Sequence, residues 1–130
     1  MDPKPTLVAA SAQADLLDYL ERVLGRDFLV QRAGSAKEAL VLLEAEGPAV
    51  LLADERLPDR SGLELLGEAH GLAPETARVI LVGFARLPEI CEAARRGLAH
   101  AYLVKPLDFK RLKGAIAEAR ARLELGDWKV

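Results

Sequence analysis

One segment decides how this chain folds: Ala49-Val50-Leu51-Leu52-Ala53-Asp54-Glu55-Arg56-Leu57-Pro58-Asp59-Arg60-Ser61-Gly62. Its first five residues are small or branched and apolar, which is typical of a strand buried on both faces. The apolar run stops at Asp54, so a carboxylate is expected at the carboxyl end of a buried strand. Pro58 and Gly62 shape the loop that follows, and Ser61 with Glu64 predicts a capping box at the start of a helix.

Apolar periodicity on both sides of this segment predicts strands that alternate with helices. Strands are expected at residues 7–10, 28–33, 49–53, 78–83 and 101–104, and an amphipathic helix follows each of them. The helix boundaries carry their own signals: Gly25 ends the first helix, Ser35 with Glu38 begins the second, and Asp108 begins the last. Five strands that alternate with five helices predict a parallel α/β sheet. Of the two common windings, we expect the flavodoxin-like order 2-1-3-4-5.

This strand order brings three distant parts of the chain to one edge of the sheet. Ser11-Ala12 follows strand one, Asp54 ends strand three and Lys105 follows strand five. Ligands and chemistry gather at the carboxyl ends of the strands in an open α/β sheet. Asp54 is therefore the first candidate for a functional residue.

Composition limits the classes of function. The 130 residues suit a single domain, 1–130, with a core from about residue 6 to residue 125. A net charge of −2 gives no case for nucleic acid or an anionic membrane as partner. The single Cys91 excludes an internal disulfide and a cysteine-rich metal site. With no signal peptide and no membrane-length apolar run, the cytoplasm is the expected location.

Two motifs now give the sequence a family resemblance. Asp54, Pro58 and Gly62 form Asp-x-x-x-Pro-x-x-x-Gly, and Tyr102 precedes Lys105-Pro106 in a second motif. With this spacing and strand order, the chain resembles the receiver domain of bacterial response regulators (CheY-like) from about residue 6 to residue 125. The resemblance implies a flavodoxin-like fold in a two-component or phosphorelay pathway, with no further output domain expected here.

The resemblance also implies roles for single residues. A histidine kinase or phosphotransfer protein would pass a phosphoryl group to Asp54, and Lys105 would contact that group. In such proteins two acidic residues after strand one hold Mg²⁺, and a Thr or Ser ending strand four couples the phosphoryl group to the aromatic at Tyr102. A downstream protein would bind the face of helix four, strand five and helix five. Whether the chain forms a homodimer is left open.

Three of these working positions depart from the family pattern. Ser11 and Ala12 stand where the acidic pair belongs, and aligning Gly83-Phe84-Ala85 with the family's loop puts Val82 where the Thr or Ser belongs. Mg²⁺ is normally held by one or two carboxylates and water. Here Asp54 is the one carboxylate expected at the site, and the Ser11 hydroxyl and the backbone carbonyl of Arg56 could complete the ligand set. We therefore expect weak metal binding.

Two functions stay open from the sequence. In the first, Asp54 accepts a phosphoryl group, with self-dephosphorylation as the only enzyme-like activity. In the second, Asp54 and Lys105 are a retained ion pair, and the domain is a pseudo-receiver that binds its partner without phosphorylation. An enzyme with its own substrate is a distant third, because no nucleophilic or phosphate-loop motif supports one.

The remaining candidate residues have simpler interpretations. Tyr102 is expected to be a half-buried aromatic rather than a moving switch, and Cys91 is expected to pack. His70 and His100 lie in or beside predicted loops and are expected at the surface. Trp128, in the tail, is a candidate for docking on a partner or on the domain itself.

Overall fold

The fold is a five-stranded parallel sheet with helices on both faces, seen in a computed structural model that describes residues 3–83 and 87–125. The strand order is β2-β1-β3-β4-β5, which confirms the predicted flavodoxin-like winding. The elements in chain order are β1 (Thr6–Ala10), α1 (Ala14–Leu24), β2 (Leu29–Ala33), α2 (Ala36–Glu46), β3 (Val50–Asp54), α3 (Gly62–Leu72), β4 (Ala77–Val82), α4 (Leu87–Arg95), β5 (Ala101–Val104) and α5 (Phe109–Leu125).

Strand alternation divides the core into two layers. Leu7 and Ala9 of β1 point to the side of α1 and α5, where they pack with Leu20 and Ile116. Residues from the alternate positions of the strands pack on the other side with α2, α3 and α4: Val8, Ala10, Leu51, Ala53, Ile80 and Val82. Because side chains alternate strictly along a strand, every residue at the carboxyl edge is assigned to one layer by its place in this alternation.

The loop after β3 is fixed at both of its ends. Ser61 and Glu64 form the predicted capping box at the start of α3. The Asp59 carboxylate accepts hydrogen bonds from the backbone N–H groups of Ala36 and Lys37, each at 2.9 Å, at the amino end of α2. The Ala36 bond is the main reason that the pKa of Asp59 is lowered. The loop that follows Asp54 is therefore tied to a neighbouring helix as well as to α3.

Gly62 allows α3 to begin directly against the end of β3. A Cβ at this position would lie 2.1 Å from the backbone carbonyl oxygen of Asp54. The Gly62 N–H donates to the carbonyl oxygen of Glu55 at 2.8 Å. A side chain here would force the helix away from the strand that carries Asp54.

Replacing Gly62 with alanine should therefore destabilise the fold. We expect Gly62→Ala to lower the free energy of unfolding by about 2 kcal/mol or more, measured by urea denaturation. The matched control is Gly114→Ala in α5, where an added Cβ meets nothing within 4 Å. This control should gain up to about 1 kcal/mol in helix propensity. Equal effects of the two substitutions would contradict the close approach at Gly62.

A buried Arg78–His100 pair joins β4 to the turn before β5. The prediction that His100 lies at the surface is wrong: its side chain is fully buried, whereas His70 is exposed. The His100 Nδ1 accepts a hydrogen bond from the backbone N–H of Arg78 at 2.8 Å. The Arg78 guanidinium in turn donates to the carbonyl oxygens of Leu98 and Gly97. The buried pair thus satisfies the backbone of the α4–β5 turn.

This burial should make stability depend on pH. Burial first, and the Arg78 charge second, lower the pKa of His100 to about 4. A histidine that is neutral when folded contributes its full stability above the unfolded pKa of about 6.5, and loses it as the pH falls towards about 4. We expect the free energy of unfolding to fall by up to about 3 kcal/mol across this window, measured as urea midpoints.

The His100→Asn variant should lose most of this pH dependence. His70→Asn, at an exposed position, is the matched control and should keep it. If wild type and His100→Asn lost stability in parallel between about pH 7 and about pH 5, His100 would not be the titrating group.

Candidate functional site

The three residues that were predicted to meet, Ser11, Asp54 and Lys105, lie in contact at the carboxyl edge of the sheet, which we call the rim. Asp54 is only 3% exposed at the end of β3. The Lys105 Nζ donates to its Oδ1 at 2.7 Å, and the Ser11 Oγ donates to its Oδ2 at 3.0 Å. The backbone N–H of Glu55 also donates to Oδ1, at 2.9 Å. Both oxygens of the buried carboxylate are therefore hydrogen-bonded.

The ion pair crosses the sheet. Asp54 ends β3 and Lys105 follows β5, whereas β4 lies between these two strands. The two side chains therefore meet over the carboxyl end of β4.

Strand alternation identifies which residue of β4 faces the pair. Val79 and Leu81 pack in the same layer as Leu52, two residues before Asp54, so the next position in that row is Gly83. Val82, the predicted switch position, is buried in the opposite layer with Ala53. The Val82 side chain therefore does not face the ion pair, and in the row of Val79 and Leu81 the next residue is Gly83. Alternation from Leu81 was the sequence signal that could have found it.

Glu55 is a rim residue that sequence reasoning missed. Its Oε1 accepts a hydrogen bond from the backbone N–H of Gly83 at 2.9 Å. Its Oε2 is buried and has no hydrogen-bond partner among the described residues. A Cβ at Gly83 would lie 3.1 Å from Glu55 Oε1, so the carboxylate lies where a side chain of residue 83 would begin. The signal was a second acid directly after Asp54.

Tyr102 does not belong to this rim. Its ring lies on the α4 side of β5 and is 39% exposed, and its hydroxyl is 3.7 Å from the Cys91 Sγ. The contact with Cys91 is the first reason that the pKa of Tyr102 is raised. Phe109, at the start of α5, is 44% exposed. Tyr102 and Cys91 thus connect β5 with α4 at the surface, where a partner could reach both.

The donor set fits magnesium poorly. The Ser11 hydroxyl already donates to Asp54 and accepts from the backbone N–H of Gln13 at 3.0 Å. Ala12 is exposed and supplies no ligand atom in its side chain. No group of three or more His, Cys, Asp or Glu side chains able to hold a metal is found in 3–83 and 87–125. The role predicted for the backbone carbonyl of Arg56 stays a prediction.

Some predicted features lie outside the residues that the structure describes. These are Phe84 and Ala85 of the loop used in the alignment and Trp128 of the tail.

Comparison with known proteins defines the class. The family sequence model of the response regulator receiver domain matches residues 10–117, so the chain belongs to the response regulator receiver family. Receiver domains are signalling domains of two-component systems rather than enzymes with their own substrates. They typically bind Mg²⁺, and they imply a cognate histidine kinase.

Individual relatives agree with this class. The chain is 36% identical to the response regulator protein PilR of Pseudomonas aeruginosa over 108 residues, which are 82% of this chain and 24% of PilR. It spans about a quarter of the length of PilR and of two hydrogenase transcriptional regulatory proteins, from Cupriavidus necator and Bradyrhizobium diazoefficiens, that it also matches. Their whole-protein activities therefore do not transfer directly.

Two solved structures are also similar. A CheY-like receiver domain protein from Methanospirillum hungatei has a TM-score of 0.85 and 29% identity, covering 95% of this chain and 99% of its own. A response regulator from Burkholderia pseudomallei, solved with a phosphorylated aspartic acid, calcium ion and citrate, has a TM-score of 0.80 and 25% identity. That comparison covers 95% of this chain and 73% of the other.

No helix in the described part of the chain has the length and apolar character to cross a bilayer.

The buried ion pair gives a direct test of the site's energetics. Lys105→Met should leave the Asp54 carboxylate buried without its cation. We expect the free energy of unfolding to fall by about 2 kcal/mol, since partial exposure of Lys105 moderates the full cost of an unpaired buried charge. Adding Asp54→Asn should recover most of this loss in urea denaturation. A double variant no more stable than Lys105→Met would exclude the unpaired charge as the cause.

Proposed function

We propose that Asp54 is the phosphoacceptor of this receiver domain and takes its phosphoryl group from a histidine kinase or phosphotransfer protein. The observation that carries the proposal is the buried Asp54 carboxylate held 2.7 Å from Lys105 at the end of the central strand. The phosphorylated aspartic acid of the B. pseudomallei relative supports the same chemistry here.

The transfer requires little from the protein beyond position and charge. An oxygen of Asp54 forms a bond to phosphorus while the P–N bond of the partner's phosphohistidine breaks. The electron pair of that bond returns to the ring nitrogen, and the ring, which carries a proton on its other nitrogen, leaves as neutral imidazole. Lys105 orients the Asp54 carboxylate beforehand and neutralises charge on the transferred group afterwards.

The loading site is atypical, because Ser11 and Ala12 stand in place of an acidic pair. Ser11 binds the Asp54 Oδ2, so it occupies the side on which a carboxylate would have faced a cation. With one carboxylate and a hydroxyl already in use, magnesium binds weakly, and no step is assigned to it. Loading of Asp54 is correspondingly slow.

A second function is favoured by the same hydrogen bonds. Every oxygen of Asp54 is already satisfied within the domain, and Val82 is buried away from it. A domain of this kind works as a pseudo-receiver that binds its partner constitutively. The partner surface in either case is the α4–β5–α5 face, the surface formed by α4, β5 and α5, where Tyr102 and Phe109 are exposed.

Loading with a small phosphodonor separates the two functions. With acetyl phosphate or beryllofluoride at millimolar Mg²⁺, we expect saturable changes in the NMR resonances of Tyr102 and of the α4–β5–α5 face. Intact-mass analysis should detect one added phosphoryl group after acetyl phosphate treatment. Asp54→Asn is the control and should abolish both signals. If wild type behaved like Asp54→Asn, the constitutive function would replace the proposed one.

Restoring acid at the end of β1 tests why loading is slow. The double variant Ser11→Asp/Ala12→Asp should bind Mg²⁺ at least about tenfold more tightly and load faster, because it restores carboxylates to the side of Asp54 that faces β1. Ser11→Ala/Ala12→Ser, which adds no acid, is the matched control. Equal magnesium affinity in the two variants would contradict the role assigned to these positions.

A further inference from the structure

The Glu55 carboxylate accepts a hydrogen bond that has no part in the phosphoryl transfer proposed above. Glu55 follows Asp54 in the chain, yet its side chain crosses to the neighbouring strand and accepts from the Gly83 N–H. One of its oxygens is buried without a hydrogen-bond partner in the described part of the chain. Burying a carboxylate oxygen without a hydrogen bond costs desolvation energy. The hydrogen bond from Gly83 to the other oxygen offsets part of this cost.

The position of β4 relates this carboxylate to the phosphoacceptor. Gly83 follows β4, and β4 separates the strand of Asp54 from the strand that precedes Lys105. A phosphoryl group on Asp54 that kept contact with Lys105 would lie over the end of β4. Its oxygens would then face the Gly83 N–H, a backbone donor of the kind that binds anions. Glu55 already occupies that donor.

We propose that Glu55 is a specificity-determining residue that restricts anion binding at Asp54, by occupying the Gly83 N–H with its own negative charge. The proposal rests on the phosphoacceptor role of Asp54. Asp54, Glu55 and Lys105 together carry a net charge of −1, counted as two carboxylates and one ammonium. A phosphoryl group adds further negative charge to this rim. Among the described residues, Lys105 is the only cationic side chain that forms an ion pair with Asp54.

Gly83 is complementary to Glu55 in shape. An added Cβ at residue 83 would lie 3.1 Å from Glu55 Oε1, so a larger residue there would push the carboxylate away. Glu55 thus occupies the backbone N–H of Gly83 and also the space in which a side chain of residue 83 would lie.

Glu55→Gln tests this inference with little change of shape. The amide oxygen can still accept from Gly83, so the bond remains while the charge is lost. We expect the rate of labelling of Asp54 by acetyl phosphate, at fixed millimolar Mg²⁺, to rise about tenfold, the effect of one unit charge at short range in a partly exposed site. Beryllofluoride should bind more tightly by a similar factor.

Two controls separate an electrostatic role from a structural one. Glu44→Gln removes the same charge from an exposed position on α2, near the opposite edge of the sheet, and should change nothing. The difference between wild type and Glu55→Gln should shrink as salt is raised, because salt screens charge but does not alter packing. Glu55→Met lacks the charge and also frees the Gly83 N–H, so it should load at least as fast as Glu55→Gln, and it replaces Glu55→Gln in the test if that variant folds poorly.

The outcomes distinguish this inference from the proposed function. Wild type loading slowly and Glu55→Gln loading faster supports both. Glu55→Gln loading while wild type does not supports the inference and overturns the proposed function for the native chain. Equal loading of the two overturns the inference and leaves the proposed function standing. If neither wild type nor any charge-free variant loads, both are overturned, and if wild type loads faster than the charge-free variants, the inference alone is overturned.

Discussion

The carboxyl edge of the sheet depends on one buried charge pair, Asp54 with Lys105. Burying the carboxylate costs solvation energy, and the ammonium 2.7 Å away offsets that cost. The pair can form because β3 and β5 both run parallel to β4 on either side of it, so that Asp54 at the end of β3 and Lys105 just after β5 meet above its end. The residues around Asp54 must in turn supply hydrogen-bond donors to both of its buried oxygens.

The neighbours of Asp54 follow from this constraint. Ser11 supplies a neutral donor to the oxygen that Lys105 does not reach, and Gly83 has no side chain to displace the Glu55 carboxylate. Glu55 then fills the adjacent space with a second carboxylate. The rim is a compact hydrogen-bonded unit, and binding of a new anion there requires one of these contacts to change.

The fold was largely predictable from local sequence, because its signals are local. Short apolar runs located the strands, and the capping box of Ser61 and Glu64 located the start of α3. The meeting of Ser11, Asp54 and Lys105 followed from strand order alone. His100 was misplaced because its burial depends on Arg78, a charged residue inside a strand whose partners are carbonyl groups of a distant turn. Such tertiary hydrogen bonds leave no periodic pattern.

The errors at the rim have a different origin. Val82 packs in the layer away from the ion pair, because a shift of one residue along a strand reverses the face on which a side chain lies. Glu55 was overlooked because an acidic residue after a strand normally points to solvent. In the structure its side chain points towards the end of β4 instead. Side-chain direction beyond the last residue of a strand is set by the loop, which the sequence specifies only weakly.

The close approach at Gly62 has a consequence for how such a domain can change over many generations. The backbone around Asp54 is held by contacts that involve no rim side chain: the missing Cβ of Gly62 and the Asp59 cap on α2. Residues at positions 11, 12, 55 and 83 can therefore be exchanged while the scaffold stays in place. A lineage could lose or regain signalling chemistry by a few substitutions, without ever passing through an unfolded intermediate.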